Sequence, residues 1–148
     1  MNENESIEFK ENYTEKIYKE IIAFLNTNSG TIYIGYDDNG NLIGVDNCKD
    51  LEEKISNGIR TNIYPDARIF VSINTGKIED KEYIIIKVSK GIDIYYLKEK
   101  GIVKGTYLRT GSCSIPATEE TVKQLIIKNS NFLFELEGKR WVFHILEK

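Results

Sequence analysis

The sequence predicts an α+β fold in which a mixed β-sheet packs with about three helices. Runs of β-branched and aromatic residues, which are typical of strands, occur at 31–35 and 83–88. Apolar residues that recur at helical spacing, typical of amphipathic helices, occur at 17–25 and 51–63. At 148 residues the chain is long enough for one domain with a substantial core. We therefore expect these strands and helices to share a single core.

The first half of the chain is predicted to alternate strands and helices. Thr14 and Asp50 are candidate N-caps, because their side chains can accept hydrogen bonds from a first helical turn. Pro65 must end the second helix. The predicted elements are, in chain order, a strand at 6–10, a helix at 14–26, a strand at 31–35, a hairpin turn at 37–41 and a second helix from 50.

The second half is predicted to be richer in strands. Residues 83–88 are apolar enough for a central strand, and Thr118 is a candidate cap for a third helix. The other predicted strands lie at 68–74, 92–97 and 106–109, with a connection at 98–105. In the tail, 131–148, two apolar runs flank Gly138 as in a β-hairpin, and we expect this tail to close the sheet or to form a dimer surface.

Composition limits the kinds of function that the chain can have. The formal net charge is −3, from 20 basic and 23 acidic residues, so any nucleic-acid binding must use a local basic patch. The sequence has no apolar run of membrane-spanning length and no cationic apolar leader, so we expect a cytoplasmic protein. Two distant cysteines and one histidine favour neither a disulfide framework nor a structural zinc site.

Three separated segments form a set whose order and spacing are specific: Glu8-Phe9-Lys10, Ala23–Val45 and Tyr107–Ser112. This set resembles the Schlafen AlbA-like family over about residues 3–127, with departures at Leu25, Ser29 and Tyr36. The resemblance implies an AlbA-like core over residues 1–130, with the 131–148 tail as part of the same domain. Bacterial members of the family are described as DNA-binding or transcriptional-regulator domains, so the resemblance implies a nucleic-acid-binding function.

The animal Schlafen core holds two such lobes side by side in one chain. Because this chain has one lobe, the resemblance implies a homodimer.

Basic and aromatic residues interleave in the last third of the chain. Lysine and arginine contact phosphates, and aromatic rings stack on unpaired bases. Arg109 is the foremost candidate because a guanidinium can fork onto a phosphate, although a structural ion pair with an acidic turn is an equal alternative. The residues predicted to bind DNA or RNA are Lys10, Tyr95, Lys98, Lys100, Lys104, Tyr107 and Arg109, with Tyr96 in the same stretch.

The resemblance also implies an alternative function, a Mg²⁺- or Mn²⁺-dependent endoribonuclease. Matching the motifs residue by residue assigns catalysis to Glu3, Glu8, Asp37 and Asp38, and the metal to Glu3, Glu8 and Asp37. Hard carboxylate oxygens suit both ions. An odd offset between Glu3 and Glu8 points their side chains to opposite faces of a strand, so Glu3 must lie on a returning segment, or Glu5 replaces it. Asp37 and Asp38 are otherwise ordinary turn residues.

Other functions have weaker support. The sequence has no GxxxxGK[ST] loop and no GxGxxG motif for phosphates. Ser112 and Cys113 have no candidate histidine partner except His144. A protein-interaction module that docks through the apolar tail remains a third alternative.

Overall fold

The computed structural model of the chain describes residues 3–137. Its strands are β1 (Ile7–Lys10), β2 (Gly30–Ile34), β3 (Ile63–Tyr64), β4 (Val71–Ile78), β5 (Lys81–Val88), β6 (Tyr96–Leu97), β7 (Tyr107–Thr110) and β8 (Cys113–Pro116). Its helices are α1 (Ile17–Asn26), α2 (Cys48–Asn62), α3 (Gly101–Gly105) and α4 (Glu119–Glu137). The predicted α+β class is confirmed, with four helices in the described part where about three were expected.

The main sheet has four strands in the order β1-β2-β5-β4. β1 runs parallel to β2, whereas β5 is antiparallel to both β2 and β4. The sheet is therefore mixed, as predicted, and the apolar run at 83–88 does form a central strand. Two small antiparallel pairs, β3 with β6 and β7 with β8, complete the described strands.

The core lies between one face of this sheet and the helices α1 and α2. Ile32, Ile34, Ile84 and Ile86 point into it and are fully buried. α1 buries nearly its whole length because it lies between the sheet and the β7–β8 hairpin. Gly58 of α2 allows that helix to approach α1 closely, since a Cβ at this position would overlap the Tyr18 ring.

One of the three predicted helix caps is present. The Thr118 hydroxyl oxygen accepts a hydrogen bond from the Thr121 backbone N–H at 3.1 Å, as expected. Thr14 does not cap α1 through its side chain; its carbonyl accepts from the N–H of Ile17 at 3.2 Å. Asp50 is also not a cap, because α2 begins earlier, at Cys48, after a left-handed residue at Asn47.

Several strand boundaries differ from prediction. Only two residues of the predicted strand 92–97 pair, as β6, and the expected connection after it contains α3. The β4–β5 hairpin turns at Glu79 and Asp80, which both have positive φ, and so β4 extends beyond its predicted end at 74. Strand β8 was not predicted, since four residues ending in proline give a weak strand pattern.

The tail also differs from prediction. Residues 131–137 continue α4, so the part of the expected β-hairpin that precedes Gly138 is helical, and the prediction of a strand there is wrong. No glycine or proline interrupts the helix between its cap and Gly138, and an apolar run by itself does not distinguish a helix from a strand. The rest of the predicted hairpin, 138–148, lies outside the described residues, so the role of the tail in dimerisation stays a prediction. Between residues 3 and 137 no helix is both long enough and apolar enough to cross a membrane.

Candidate functional site

Arg109 lies at the centre of a buried group of polar side chains. Its Nη1 donates to Glu8 Oε1 at 2.7 Å and to Glu20 Oε2 at 3.1 Å. The Arg109 side chain is 1% exposed, so both carboxylates compensate a charge that water does not reach. We call this group the ion cluster: Arg109, Glu8, Glu20, Lys10 and Ser114.

The same guanidinium also holds the start of the chain. Arg109 Nη2 donates to the carbonyl oxygens of Asn4 at 2.8 Å and Ile7 at 3.1 Å. The guanidinium carbon lies 4.8 Å from the centroid of the Phe24 ring. Of the two alternatives for Arg109, the structural ion pair is present, although its partners are Glu8 and Glu20 and not an acidic turn. These contacts leave Arg109 unable to reach a phosphate in this conformation.

Asn26 and Thr27, at the end of α1, attach the later part of the chain to the core. The Asn26 side-chain amide donates to the carbonyls of Tyr95 at 2.8 Å and Tyr107 at 3.0 Å, and its oxygen accepts from the Tyr95 N–H at 2.8 Å. The Thr27 hydroxyl oxygen accepts from the Arg109 N–H at 3.0 Å. The Asn-Thr pair of the Ala23–Val45 segment is therefore structural.

Glu3 and Glu8 converge, as the nuclease alternative requires. Glu3 lies on a segment that turns back through an Asn4–Ile7 bridge, and its Oε2 accepts from the Phe9 N–H at 3.0 Å. Partial burial, followed by the neighbouring Glu8 carboxyl, raises the pKa of Glu3 above its ordinary value. Glu5 points elsewhere, with its carboxylate accepting from Asn28 at 3.3 Å.

Asp37 belongs to its own turn. Its Oδ1 accepts from the backbone N–H groups of Asn39 and Asn41, both at 2.9 Å. Donation from the backbone of Asn41 is the main reason why the pKa of Asp37 lies below its ordinary value. Asp38 is exposed beside it.

These acidic residues do not form a complete metal site. Within the described part of the chain, no three aspartate, glutamate, histidine or cysteine side chains are grouped so that they could hold a metal ion. Glu8 already accepts from Arg109 and lies 3.4 Å from the Lys10 ammonium. The residues present therefore do not fit Mg²⁺ or Mn²⁺, and we derive no metal-dependent step.

The residues predicted to bind nucleic acid fall into two environments. Tyr95 and Tyr107 are 1% and 5% exposed, so neither ring can stack on a base. Lys10 lies 3.4 Å from Glu8 and 3.6 Å from Glu20 in the ion cluster. The three predicted residues at the surface are the lysines Lys98, Lys100 and Lys104.

A lysine-rich groove lies between α1 and the β6–α3 segment. Its volume is about 410 Å³, and Glu15 and Glu99 are the acidic residues that line it. On neighbouring strands nearby, the rings of Tyr64 and Tyr96 have centroids 5.7 Å apart, and Tyr64 is 50% exposed. We call this surface the lysine groove: Lys16, Lys19 and Lys100 in its lining, together with two exposed lysines close to the lining residues in the chain, Lys98 between Leu97 and Glu99, and Lys104 four residues after Lys100.

Comparison with known families agrees with the motif positions. The sequence model of the family described as Schlafen, AlbA_2 matches residues 3–118. The chain belongs to this family. The predicted Schlafen AlbA-like relationship is therefore confirmed, and all three motif segments fall within the matched range.

Two solved structures share the fold of this AlbA_2 domain. One is the DIP2311 protein from Corynebacterium diphtheriae, with a TM-score of 0.61 and 17% identity over 82% of this chain, which spans only 23% of that protein. The other is the N-terminal domain of a candidate ATP-dependent DNA helicase, RecG-related, from Nitrosomonas europaea. Its TM-score is 0.52, with 18% identity, covering 73% of this chain and 78% of that one. No curated protein sequence matches the chain.

Sequence reasoning missed some of the site residues of this AlbA_2 domain. Glu20 and Ser114 complete the ion cluster, and Lys16 and Lys19 line the groove. Glu20 is next to Lys19 in α1, and both residues are half-buried. Only the tertiary packing that brings Arg109 to Glu20 gives this glutamate its structural role. The helical spacing of Lys16 and Lys19 was the available signal for the groove, because residues three apart share a helix face.

Proposed function

We propose that this AlbA_2 domain binds nucleic acid through the lysine groove. The main support is that three lysines line one groove, and that in the described residues none of the five groove lysines lies within salt-bridge distance of a carboxylate, whereas Lys10 and Arg109 do. Cations that are not neutralised by the protein can replace the counterions of a phosphate backbone. The groove thereby supplies the local patch that a chain of net charge −3 requires.

DNA is the polymer that we propose, with a regulatory role. Support comes from the family resemblance and from the shared fold of the N-terminal domain of a candidate DNA helicase. We further propose a homodimer, because two copies would place two grooves along one duplex and raise the affinity through effective concentration.

The alternative, a divalent-metal-dependent endoribonuclease, is favoured by the convergence of Glu3 and Glu8. It needs a third ligand that Asp37, bound in its own turn, does not supply. The nuclease alternative therefore depends on a rearrangement, and the lysine groove does not.

The test measures binding and cleavage together. Fluorescence anisotropy with a labelled DNA duplex and a labelled RNA hairpin is followed against salt for the wild type and the double variant Lys16→Ala/Lys100→Ala. We expect weaker binding at every sequence and a salt slope smaller by about 1 for each lysine removed. The matched control is Lys49→Ala/Lys123→Ala, on exposed surfaces of α2 and α4, which should bind like the wild type.

Three other outcomes would contradict the lysine groove or favour an alternative function. A salt slope that is the same in both double variants would contradict the lysine groove. Mn²⁺-dependent cleavage that is lost in Glu3→Gln would favour the nuclease. If neither the labelled DNA nor the labelled RNA binds even at low salt, the protein-interaction module becomes the favoured alternative.

A further inference from the structure

The main sheet has two unlike faces. Burial alternates along β2 and β5, with Ile32, Ile34, Ile84 and Ile86 buried under the helices and the residues between them half-exposed. Side chains that are directly opposite in the register share a face, so Phe9, Tyr33 and Ile85 lie side by side on the outer face. This outer face is a surface that the lysine groove does not use.

Aromatic rings dominate the outer face. Tyr33 and Tyr36 have ring centroids 5.3 Å apart, and Tyr83 continues the row at 6.3 Å from Tyr36. Phe9 lies beneath them, 5.6 Å from Tyr33, and is 2% exposed. Gly76 on β4 leaves room for the Tyr83 ring to lie across the neighbouring strand, where a Cβ would overlap it. The result is a connected row of three half-exposed tyrosines supported by a buried phenylalanine.

The charged strand residues on this face are all basic. The four strands contain two carboxylates, Glu8 and Glu82, and both fall on the helix-covered face. The outer face carries the exposed lysines Lys81 and Lys87. Beside Tyr33, a shallow depression of about 450 Å³ is lined by Thr31, Lys87 and three serines: Ser6, Ser29 and Ser89.

We propose that this tyrosine face, defined as Tyr33, Tyr36, Tyr83, Lys81 and Lys87, binds a single-stranded nucleic-acid segment. Unpaired bases stack on the tyrosine rings, and the lysines contact the phosphates that follow them. The serine-lined depression accepts the backbone next to Tyr33. A duplex does not fit this mode, since its bases already stack on each other.

The lysines argue against a second copy of the chain as the occupant. A twofold contact through this face would bring Lys81 and Lys87 of both copies together without a carboxylate from the strands between them. Lysine is depleted from the cores of protein–protein interfaces. A polyanion with exposed ring faces complements both the charge and the aromatic row.

The experiment compares substitutions that differ only in stacking. Binding of the full chain to fluorescein-labelled oligo(dT) and to a labelled duplex is measured for Tyr33→Leu and Tyr83→Leu, each against its phenylalanine counterpart. The leucine variants should lose at least about fivefold in oligo(dT) affinity, and the phenylalanine variants should keep it. Lys87→Ala should weaken oligo(dT) binding, whereas the exposed control Lys49→Ala should not.

A second measurement locates the contact directly. Oligo(dT) that contains 5-bromouracil is photocrosslinked to the wild-type chain, and the adducts are mapped by mass spectrometry. Adducts on the peptides carrying Tyr33, Tyr36 or Tyr83 support the proposal. Adducts confined to the lysine groove overturn it, even if a leucine variant fails to fold.

The remaining outcomes separate this proposal from the one before it. If the lysine-groove variant loses duplex binding while the tyrosine variants bind oligo(dT) normally, the tyrosine face is overturned and the groove stands. If the leucine variants abolish a concentration-dependent dimer and leave oligo(dT) binding unchanged, the occupant is a second copy and the proposal is wrong. Loss of oligo(dT) binding in the leucine variants with normal duplex binding supports it.

Discussion

Arg109 and the lysines at 98–104 are close in sequence, but Arg109 is buried and the lysines are exposed to solvent. In the sequence they belong to the same stretch of interleaved basic and aromatic residues. Arg109, on β7, points inward and is 5% exposed, whereas Lys98, Lys100 and Lys104 are exposed. A basic residue inside a β-strand, two positions after the buried Tyr107, is therefore a candidate for the interior, and a lysine in a connecting segment is a candidate for binding a ligand.

A positive charge needs different partners in the protein interior and at the surface. Inside the protein, Arg109 needs carboxylates and carbonyls in place of water, and it has two of each. Its planar fork allows one side chain to bind β1, α1 and the chain start together. At the surface, a lysine is hydrated whether or not it has a partner, so it can exchange water for phosphate at small cost.

Removing the buried charge should have the largest effect on stability. We expect Arg109→Met to lower the free energy of unfolding by about 3–5 kcal/mol, because it removes the buried cation that pairs with Glu8 and Glu20 and leaves them only the partly exposed Lys10. Urea denaturation measures this difference. The matched control is Arg68→Met, whose pair with Asp66 is at 2.6 Å but 57% exposed on both sides, and whose loss of stability should be much smaller because water already screens that pair.

Equal losses of unfolding free energy in the Arg109 and Arg68 variants would contradict the distinction between a buried and an exposed arginine. They would mean that the environment of Arg109 is as well hydrated as that of Arg68, and Arg109 would again be a candidate for phosphate binding.

Removing the hydrogen bonds of Asn26 should have the next largest effect. Asn26→Ala leaves the carbonyls of Tyr95 and Tyr107 and the N–H of Tyr95 without their partner. We expect a loss of about 1–3 kcal/mol in the free energy of unfolding. Asn57→Ala, on the exposed side of α2, should change it by less than about 0.5 kcal/mol. A loss no larger than that of the control would show that Asn26 does not hold the two segments.

A structural feature can be predicted from this sequence where it produces a local periodic pattern, and not where it depends on contacts between distant parts of the chain. Elements with strong periodicity, such as α1 and β5, were predicted because their apolar pattern reflects burial directly. The helical continuation through 131–137 was missed because an apolar run is compatible with both a helix and a strand. The partners of Arg109 were also hidden, since Glu8 and Glu20 lie 101 and 89 positions away in the chain. Contacts at such separations depend on topology, which motif order indicates only at the level of the family.

Exposed lysines should affect binding and leave stability unchanged. We expect Lys98→Gln/Lys104→Gln to change the free energy of unfolding by less than about 0.5 kcal/mol while weakening duplex binding in a salt-dependent way. Parallel urea denaturation and anisotropy measurements on the same sample give both quantities. A clear loss of stability would place these lysines with Arg109 as structural residues.

Two acidic residues, Asp37 and Glu3, also lie in different environments, and their contributions to stability depend on pH with opposite signs. The pKa of Asp37 lies below its ordinary value of 3.8, because the Asn41 backbone donates to the ionised form. Asp37 therefore stabilises the fold above that value, and its contribution is lost as the pH falls through its folded pKa. The pKa of Glu3 lies above its ordinary value of 4.5, mainly through burial and then through Glu8.

For Glu3 the folded protein binds the proton more tightly than the unfolded chain does. Its contribution to stability is therefore fully present below pH 4.5 and is lost as the pH rises through its folded pKa. An NMR titration of the side-chain carboxyl carbons should show Glu3 titrating above 4.5 and Asp37 below 3.8. In Glu8→Gln the Glu3 midpoint should move down while that of Asp37 stays in place. A Glu3 midpoint that is unchanged in Glu8→Gln would mean that the two glutamates do not interact, which would remove the one observation that favours the nuclease.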